Sequence, residues 1–223
     1  MRALLRLLVV CSLTVVTYPA IAQVPVFDPN GSSTDARVSG TDVCDSEQPY
    51  ICNEERHLLR AETGEPNEML SSLQFGFAGG RGCSVTAPRP VNSLQVVPVS
   101  RRWNECPNGT ANRTYTLSTT ALPGPDYGLN RLRICTDSDG KLQGAEARFF
   151  KLPQASRRAS GQTVVTRQFE RRDCTTWQSW STCPSGQSAS GLRIYTHTLN
   201  AGDVKGIRLV CRRVLASPAI QGR

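Results

Sequence analysis

Two stretches of the chain place an arginine two residues before a tyrosine. One is Arg113-Thr114-Tyr115-Thr116; the other is Arg193-Ile194-Tyr195-Thr196, followed by His197. Side chains alternate along an extended strand, so Arg193, Tyr195 and His197 share one side while Leu192 and Ile194 take the other. A guanidinium beside a phenol donates hydrogen bonds to hydroxyls or acids while the ring stacks on a sugar face. Trp177 is a further stacking candidate, being less constrained than the other two tryptophans. The expected ligand contacts are therefore Arg113, Tyr115, Trp177, Arg193, Tyr195 and His197. The competing reading of the same residues is a solvated outer sheet face with the phenol oxygens in water.

No catalytic set is as well defined. The chain has no G-x-S-x-G, no H-E-x-x-H and no phosphate-binding loop. His57, His197 and Lys205 are the residue types of acid–base cleavage, but no spacing joins them. Glu105 with Asp126, or Asp173 with Asp203, would serve glycoside hydrolysis only if folding set them across a cleft. A glycan-active enzyme, glycosidase or glycosyltransferase-like, is thus the alternative to a binding protein. A second alternative is a protein-binding inhibitor or structural protein, with acidic Glu54 to Glu68 as its contact. No cofactor is implied. A metal site is not implied either, since no C-x-x-C pair occurs and the two histidines lack ligand spacing.

The elements that must position these residues follow a phrase that occurs twice. Trp103-Asn104-Glu105-Cys106-Pro107-Asn108-Gly109 is matched by Trp180-Ser181-Thr182-Cys183-Pro184-Ser185-Gly186. Each copy closes on a second cysteine, Cys135 or Cys211, behind an apolar–Arg–apolar stretch. Leu129 to Ile134 aligns with Val204 to Leu209, and a weaker match starts at Leu70. The repeat predicts the pairs Cys106–Cys135 and Cys183–Cys211. For the remaining four cysteines three pairings stay open, of which Cys44–Cys52 with Cys83–Cys174 is preferred. Cys135 and Cys211 stand differently against their apolar neighbours, so they face oppositely unless one strand carries a bulge. Trp103 and Trp180 are expected to pack on the adjacent disulfides as scaffold.

Short alternating runs punctuated by Gly, Pro, Asn and Asp predict an all-β fold. They include Leu73 to Phe77, Ser93 to Val99, Thr114 to Thr120, Leu132 to Ile134, Thr163 to Phe169, Leu192 to Leu199 and Ile207 to Val214. Glu54 to Leu73 reads as short helical or irregular pieces, broken by Gly64 and Pro66. Residues 1–22 read as a secretory signal peptide, with Arg2 and Arg6, an apolar run and Ala20-Ile21-Ala22. Cleavage there takes Cys11 away and leaves eight of the nine cysteines, an even number suited to an oxidising compartment. The localisation expected is secreted, extracellular or periplasmic, with no later membrane span. Residues 23–42 read as a flexible acidic lead, 43–216 as one all-β repeat domain and 217–223 as a tail.

Charge is segregated. Residues 23–70 hold ten acids and three arginines, hence −7; residues 71–223 hold 21 basic residues and eight acids, hence +13. A basic body suits an acidic glycan or an anionic cell surface, with nucleic acid the least favoured partner. Oligomeric state is not legible.

The order of Trp177, Trp180, Cys183, Gly186, Asp203, Ile207, Arg208, Leu209 and Cys211 resembles the vitelline membrane outer layer protein family. Leu129 to Cys135 is the next best match, and about 75 residues are well covered. The resemblance implies a secreted, disulfide-stapled β-prism of three Greek-key sheets about a pseudo-threefold axis. It also implies an extracellular coat or glycan-handling role, and carries over no catalytic residue.

Overall fold

The computed structural model describes residues 26–28, 30–40, 53–60, 70–87, 101–119, 127–152, 163–197 and 203–215. The signal peptide, the Cys44–Cys52 pair, the run 93–99 and the tail 217–223 lie outside them. The described residues are all-β. In chain order the strands are β1 (Val26–Phe27), β2 (Thr34–Asp35), β3 (Ser39–Gly40), β4 (Asn53–Arg60) and β5 (Ser72–Ala78). Then come β6 (Arg81–Ala87), β7 (Arg101–Asn104), β8 (Arg113–Ser118), β9 (Tyr127–Thr136) and β10 (Leu142–Lys151). The last are β11 (Val164–Glu170), β12 (Thr176–Trp177), β13 (Ser181–Thr182), β14 (Gln187–His197) and β15 (Val204–Leu215).

These strands form three antiparallel sheets around one core. Each is built on a hairpin: β5–β6, β9–β10 or β14–β15. A further strand adds to the second strand of the hairpin, and another adds to the first. The orders are β8-β5-β6-β7 for the first sheet and β12/β13-β9-β10-β11 for the second. Both are Greek keys, in which the fourth strand returns beside the first. In the third sheet the flanking strands come from the other end of the chain. There β4 lies on β14, while β1, β2 and β3 lie on β15.

Period-2 alternation explains the core. Leu73, Phe75 and Phe77 from the first sheet, Leu132 and Ile134 from the second, and Leu192 and Ile194 from the third are buried in one cluster. Burying each such side chain contributes roughly 1.5–3 kcal/mol. The first strands of the hairpins also meet through their backbones. The Leu129 N–H donates to the Leu70 carbonyl, the Leu70 N–H to the Ala189 carbonyl, and the Ser188 hydroxyl to the Leu129 carbonyl. By strand position, Leu73, Leu132 and Leu192 correspond, 59 and 60 residues apart (132 − 73, 192 − 132).

That correspondence has a different phase from the Trp-x-x-Cys-Pro-x-Gly phrases. The first copy joins β7 to β8, whereas the second joins β13 to β14. Leu129 to Ile134 lies on the first strand of a hairpin and Val204 to Leu209 on the second strand of another. Leu70 to Phe75, the weak match, runs into the first strand of its hairpin, as Leu129 to Ile134 does. What the two phrases share is a turn after the cysteine, with Gly109 at φ 69° and Gly186 at φ 75°. Glycine takes that left-handed backbone without a Cβ clash.

The amino-terminal stretch differs from a flexible lead. Phe27, Ala36, Val38 and Ser39 are buried. The Ser39 hydroxyl accepts a hydrogen bond from the Ile134 N–H at 2.9 Å, so β3 bridges the third and second sheets. At Gly40 the backbones approach so closely that a Cβ would lie 2.2 Å from the Lys205 carbonyl oxygen. Residues 53–60, expected to be helical or irregular, form β4. Pairing with β14 supplies ladder bonds that override the helix propensity of Glu, Arg and Leu.

Among the described residues the disulfides are Cys83–Cys106, Cys135–Cys174 and Cys183–Cys211. The expected Cys183–Cys211 is present; Cys106–Cys135 and Cys83–Cys174 are not. The reason is the side of its strand that each cysteine takes. Cys135 follows inward-facing Ile134, so it points to the outer side of β9, where the Cys174 segment lies. Cys211 follows Leu209 by two and faces the core. Cys83 is the extra residue of a β-bulge, since Ser84 pairs with Gly76 and Gly82 with Phe77. The bulge breaks the alternation and turns Cys83 away from Val85, into a small cluster with Ala78 and Cys106.

Candidate functional site

The outer face of the second sheet brings two tryptophans and two arginines into a stack. Arg133 on β9 lies directly opposite Glu146 on β10, and Arg131 opposite Arg148. Trp177 on β12 sits beside Cys135 at the edge of β9, and Trp180 follows three residues later. The Arg133 guanidinium carbon is 4.7 Å from the ring centre of Trp177 and 4.7 Å from that of Trp180. Arg148 lies 4.5 Å from Trp180. The order is therefore Trp177, Arg133, Trp180, Arg148. Cation–π contacts of this kind contribute about 0.5–1 kcal/mol each where exposed.

Glu146 sets the arginines. Its side chain is only 5% exposed. It accepts the Arg133 Nε–H at 2.7 Å, with a second bond from Arg133 Nη2, and the Arg148 Nη2–H at 3.4 Å. A buried carboxylate needs such partners. The indoles cover the guanidinium faces, so the remaining N–H edges are what an incoming acceptor meets. The same face continues through Arg131, whose guanidinium lies 5.8 Å from the Phe150 ring. Arg131, Arg133 and Arg148 against Glu146 leave this strip with an excess of positive charge.

The residues singled out from sequence are dispersed. Arg113 and Tyr115 lie on β8 of the first sheet, Arg193 and Tyr195 on β14 of the third, so they form no common platform. Arg113 is exposed, but Tyr115 stacks on Phe169 at 4.5 Å and 11° and fills the seam between the first two sheets. Tyr195 is 6% exposed, with Arg208 over its ring at 5.6 Å. Arg193 and Arg208 both reach Asp35, at 3.2 and 3.7 Å, tying β2 to the sheet. His197 ends β14, and its side chain lies outside the described residues. Trp177 is the one member that falls in the arginine–tryptophan face. Trp103 is core, 4% exposed, in the main cluster and not in the small one that holds Cys83 and Cys106. Trp180 instead stands half-buried among the arginines.

Arg131, Arg133, Glu146 and Arg148 are not among the residues singled out as ligand contacts, and Trp180 was expected as scaffold. Arg133 stands in the apolar–Arg–apolar stretch and Trp180 in the repeated phrase, whereas Glu146 and Arg148 lie in a segment with no strand signal of its own.

One titratable group is distinctive outside this face. Lys205 is the extra residue of a bulge in β15, since Tyr195 pairs with Gly206 and Thr196 with Val204. Its ammonium donates to the Asp139 carbonyl in the β9–β10 turn. Burial lowers its pKa below the ordinary 10.5; Asp203 opposes that shift and Lys141 adds to it. A lowered folded-state pKa means the unfolded chain holds the extra proton between the two values. Stability should therefore rise with pH through that window, up to 10.5. Urea midpoints at about pH 8 and about pH 10 should show this rise in the native chain and a smaller one in Lys205→Met. Equal pH responses would refute it.

No family model matches the chain, and no curated protein matches it. Among solved structures, the crystal structure of Calystegia sepium agglutinin aligns with 81% of this chain and 98% of its own. The TM-score is 0.42 and the sequence identity 11%. The likeness is loose, and the three-sheet architecture rests on the strand pairing described above.

Proposed function

We propose that the chain is a secreted, disulfide-stabilised carbohydrate-binding protein that recognises acidic glycans through the arginine–tryptophan face of its second sheet. The observation that carries this reading is the stack Trp177–Arg133–Trp180–Arg148, held from beneath by buried Glu146. Guanidinium edges fixed in this way donate to carboxylate or sulfate groups, while indole edges offer apolar contact to sugar rings. Three disulfides among the described residues suit an oxidising compartment, as a signal peptide requires. The vitelline membrane outer layer resemblance points the same way, toward an extracellular coat or glycan-handling protein.

The test is retention of the oxidised protein on immobilised heparin and polygalacturonate at low salt, with a glycan array for selectivity. Arg148→Gln and Trp180→Ala should each weaken retention about fivefold or more. Native near-UV circular dichroism should confirm their folding. A folded protein that is retained by no acidic glycan at low salt would sink the proposal.

A further inference from the structure

The second and third sheets meet along a cleft of about 400 Å³. That is within the usual range for small-ligand sites. Arg131, Phe150 and Lys151 contribute to its wall, with the Arg131 guanidinium at the Phe150 ring, and Leu152 and Val214 supply apolar surface. Among the described residues that border it, none is an aspartate or a glutamate. The Nε of Arg131 is buried and has no hydrogen-bond partner among the described residues. A buried donor on a cation is satisfied when an anionic acceptor arrives.

The opposite wall is the turn from Thr182 to Ser188. It is pinned at Cys183 to β15 by the disulfide to Cys211 and closed by the Gln187 N–H on the Pro184 carbonyl. The Gln187 side-chain oxygen accepts from the Thr34 hydroxyl at 2.6 Å, which leaves its NH2 group as the donor for a ligand. The cations and the ring on one wall thus face the neutral donors of the turn across a preformed space.

We propose that this cleft binds one anionic sugar residue, a hexuronate or a carboxylated ring of similar size. Its carboxylate meets Arg131, its ring face meets Phe150 and its hydroxyls meet the Thr182 to Ser188 turn, while Lys151 adds positive charge nearby on the same wall. The cleft adjoins the arginine–tryptophan face, because Arg131 lies opposite Arg148 in the β9–β10 pair. The choice of a sugar over another carboxylate rests on the glycan reading of that face.

The oxidised protein is titrated with D-glucuronate, D-glucose and acetate by isothermal calorimetry and by NMR shift changes. Glucuronate should bind saturably, with glucose and acetate each at least about tenfold weaker. Arg131→Gln should weaken glucuronate about tenfold, and Lys151→Met and Phe150→Leu severalfold. Arg172→Gln, which removes an exposed charge on the β11–β12 connection, should leave it unchanged. Absence of saturable glucuronate binding by folded protein overturns the proposal. So does equal affinity for acetate, which would make the cleft a plain anion site. Should Arg131→Gln not fold, unchanged binding in both other variants overturns it equally. The same samples are run on immobilised heparin. Retention without glucuronate binding removes the cleft and leaves the face; glucuronate binding without retention does the reverse.

Discussion

Deleting residues 23–40 should remove most of the stability of the fold. Three strands would leave β15, taking buried Phe27, Ala36 and Val38 with them. Losing a buried phenylalanine side chain costs about 3 kcal/mol. Loss of Ser39 leaves the buried N–H of Ile134 without its acceptor, at about 1–3 kcal/mol. The two together reach about 5 kcal/mol, against a total of about 5–15 for a domain. Urea unfolding followed by near-UV circular dichroism should show either a transition at far lower denaturant or none. A flexible lead would predict an unchanged midpoint, and that result would contradict the pairing of β1, β2 and β3 with β15.

Replacing both Cys135 and Cys174 by serine should cost stability and binding together. The bridge closes a separation of 39 residues, which corresponds to about 4 kcal/mol in the chain-entropy model. It also anchors the segment that delivers Trp177 to Arg133, together with the Thr175 N–H on the Thr136 carbonyl. Replacing Cys83 and Cys106 is the matched control. Its separation of 23 residues is worth about 3–4 kcal/mol, and it lies on the first sheet, away from the stack. Heparin retention, measured where both variants remain folded, should fall in the first and persist in the second. Equal losses in both would show that the stack does not carry the binding.

The all-β class was readable because several runs of core positions alternate. Leu73, Phe75 and Phe77, and Leu192 and Ile194, announce strands by period 2 alone. Strand β10 was not readable. Its Gly144-Ala145-Glu146-Ala147-Arg148 has small and helix-favouring residues, and only the neighbours β9 and β11 make it a strand. Because Glu146 and Arg148 lie there, the arginine–tryptophan face was hidden with it. The Arg-x-Tyr repeat misled for a related reason. It tells which side of a strand a residue takes, but not whether another sheet covers that side, as Phe169 covers Tyr115. Disulfide partners were obscured by bulges, since one extra residue at Cys83 reverses the face that alternation assigns. Only Cys183–Cys211, among the described bridges, joins residues whose spacing and facing agree.

The third sheet also dictates an order of events in the life of the chain. Val26 pairs with Leu215, a separation of 189 residues (215 − 26), and Asp35 with Val210. The first and second sheets close over much shorter stretches. Contacts of such range form late, because the loop entropy must be met before they contribute. An emerging polypeptide therefore cannot lock its first strands until its last strand has been made. If the chain leaves the cell interior as an unfolded thread, this topology keeps it threadable until the end. Completion of the third sheet, sealed by Cys183–Cys211, then belongs to the far side of the membrane, where thiols oxidise.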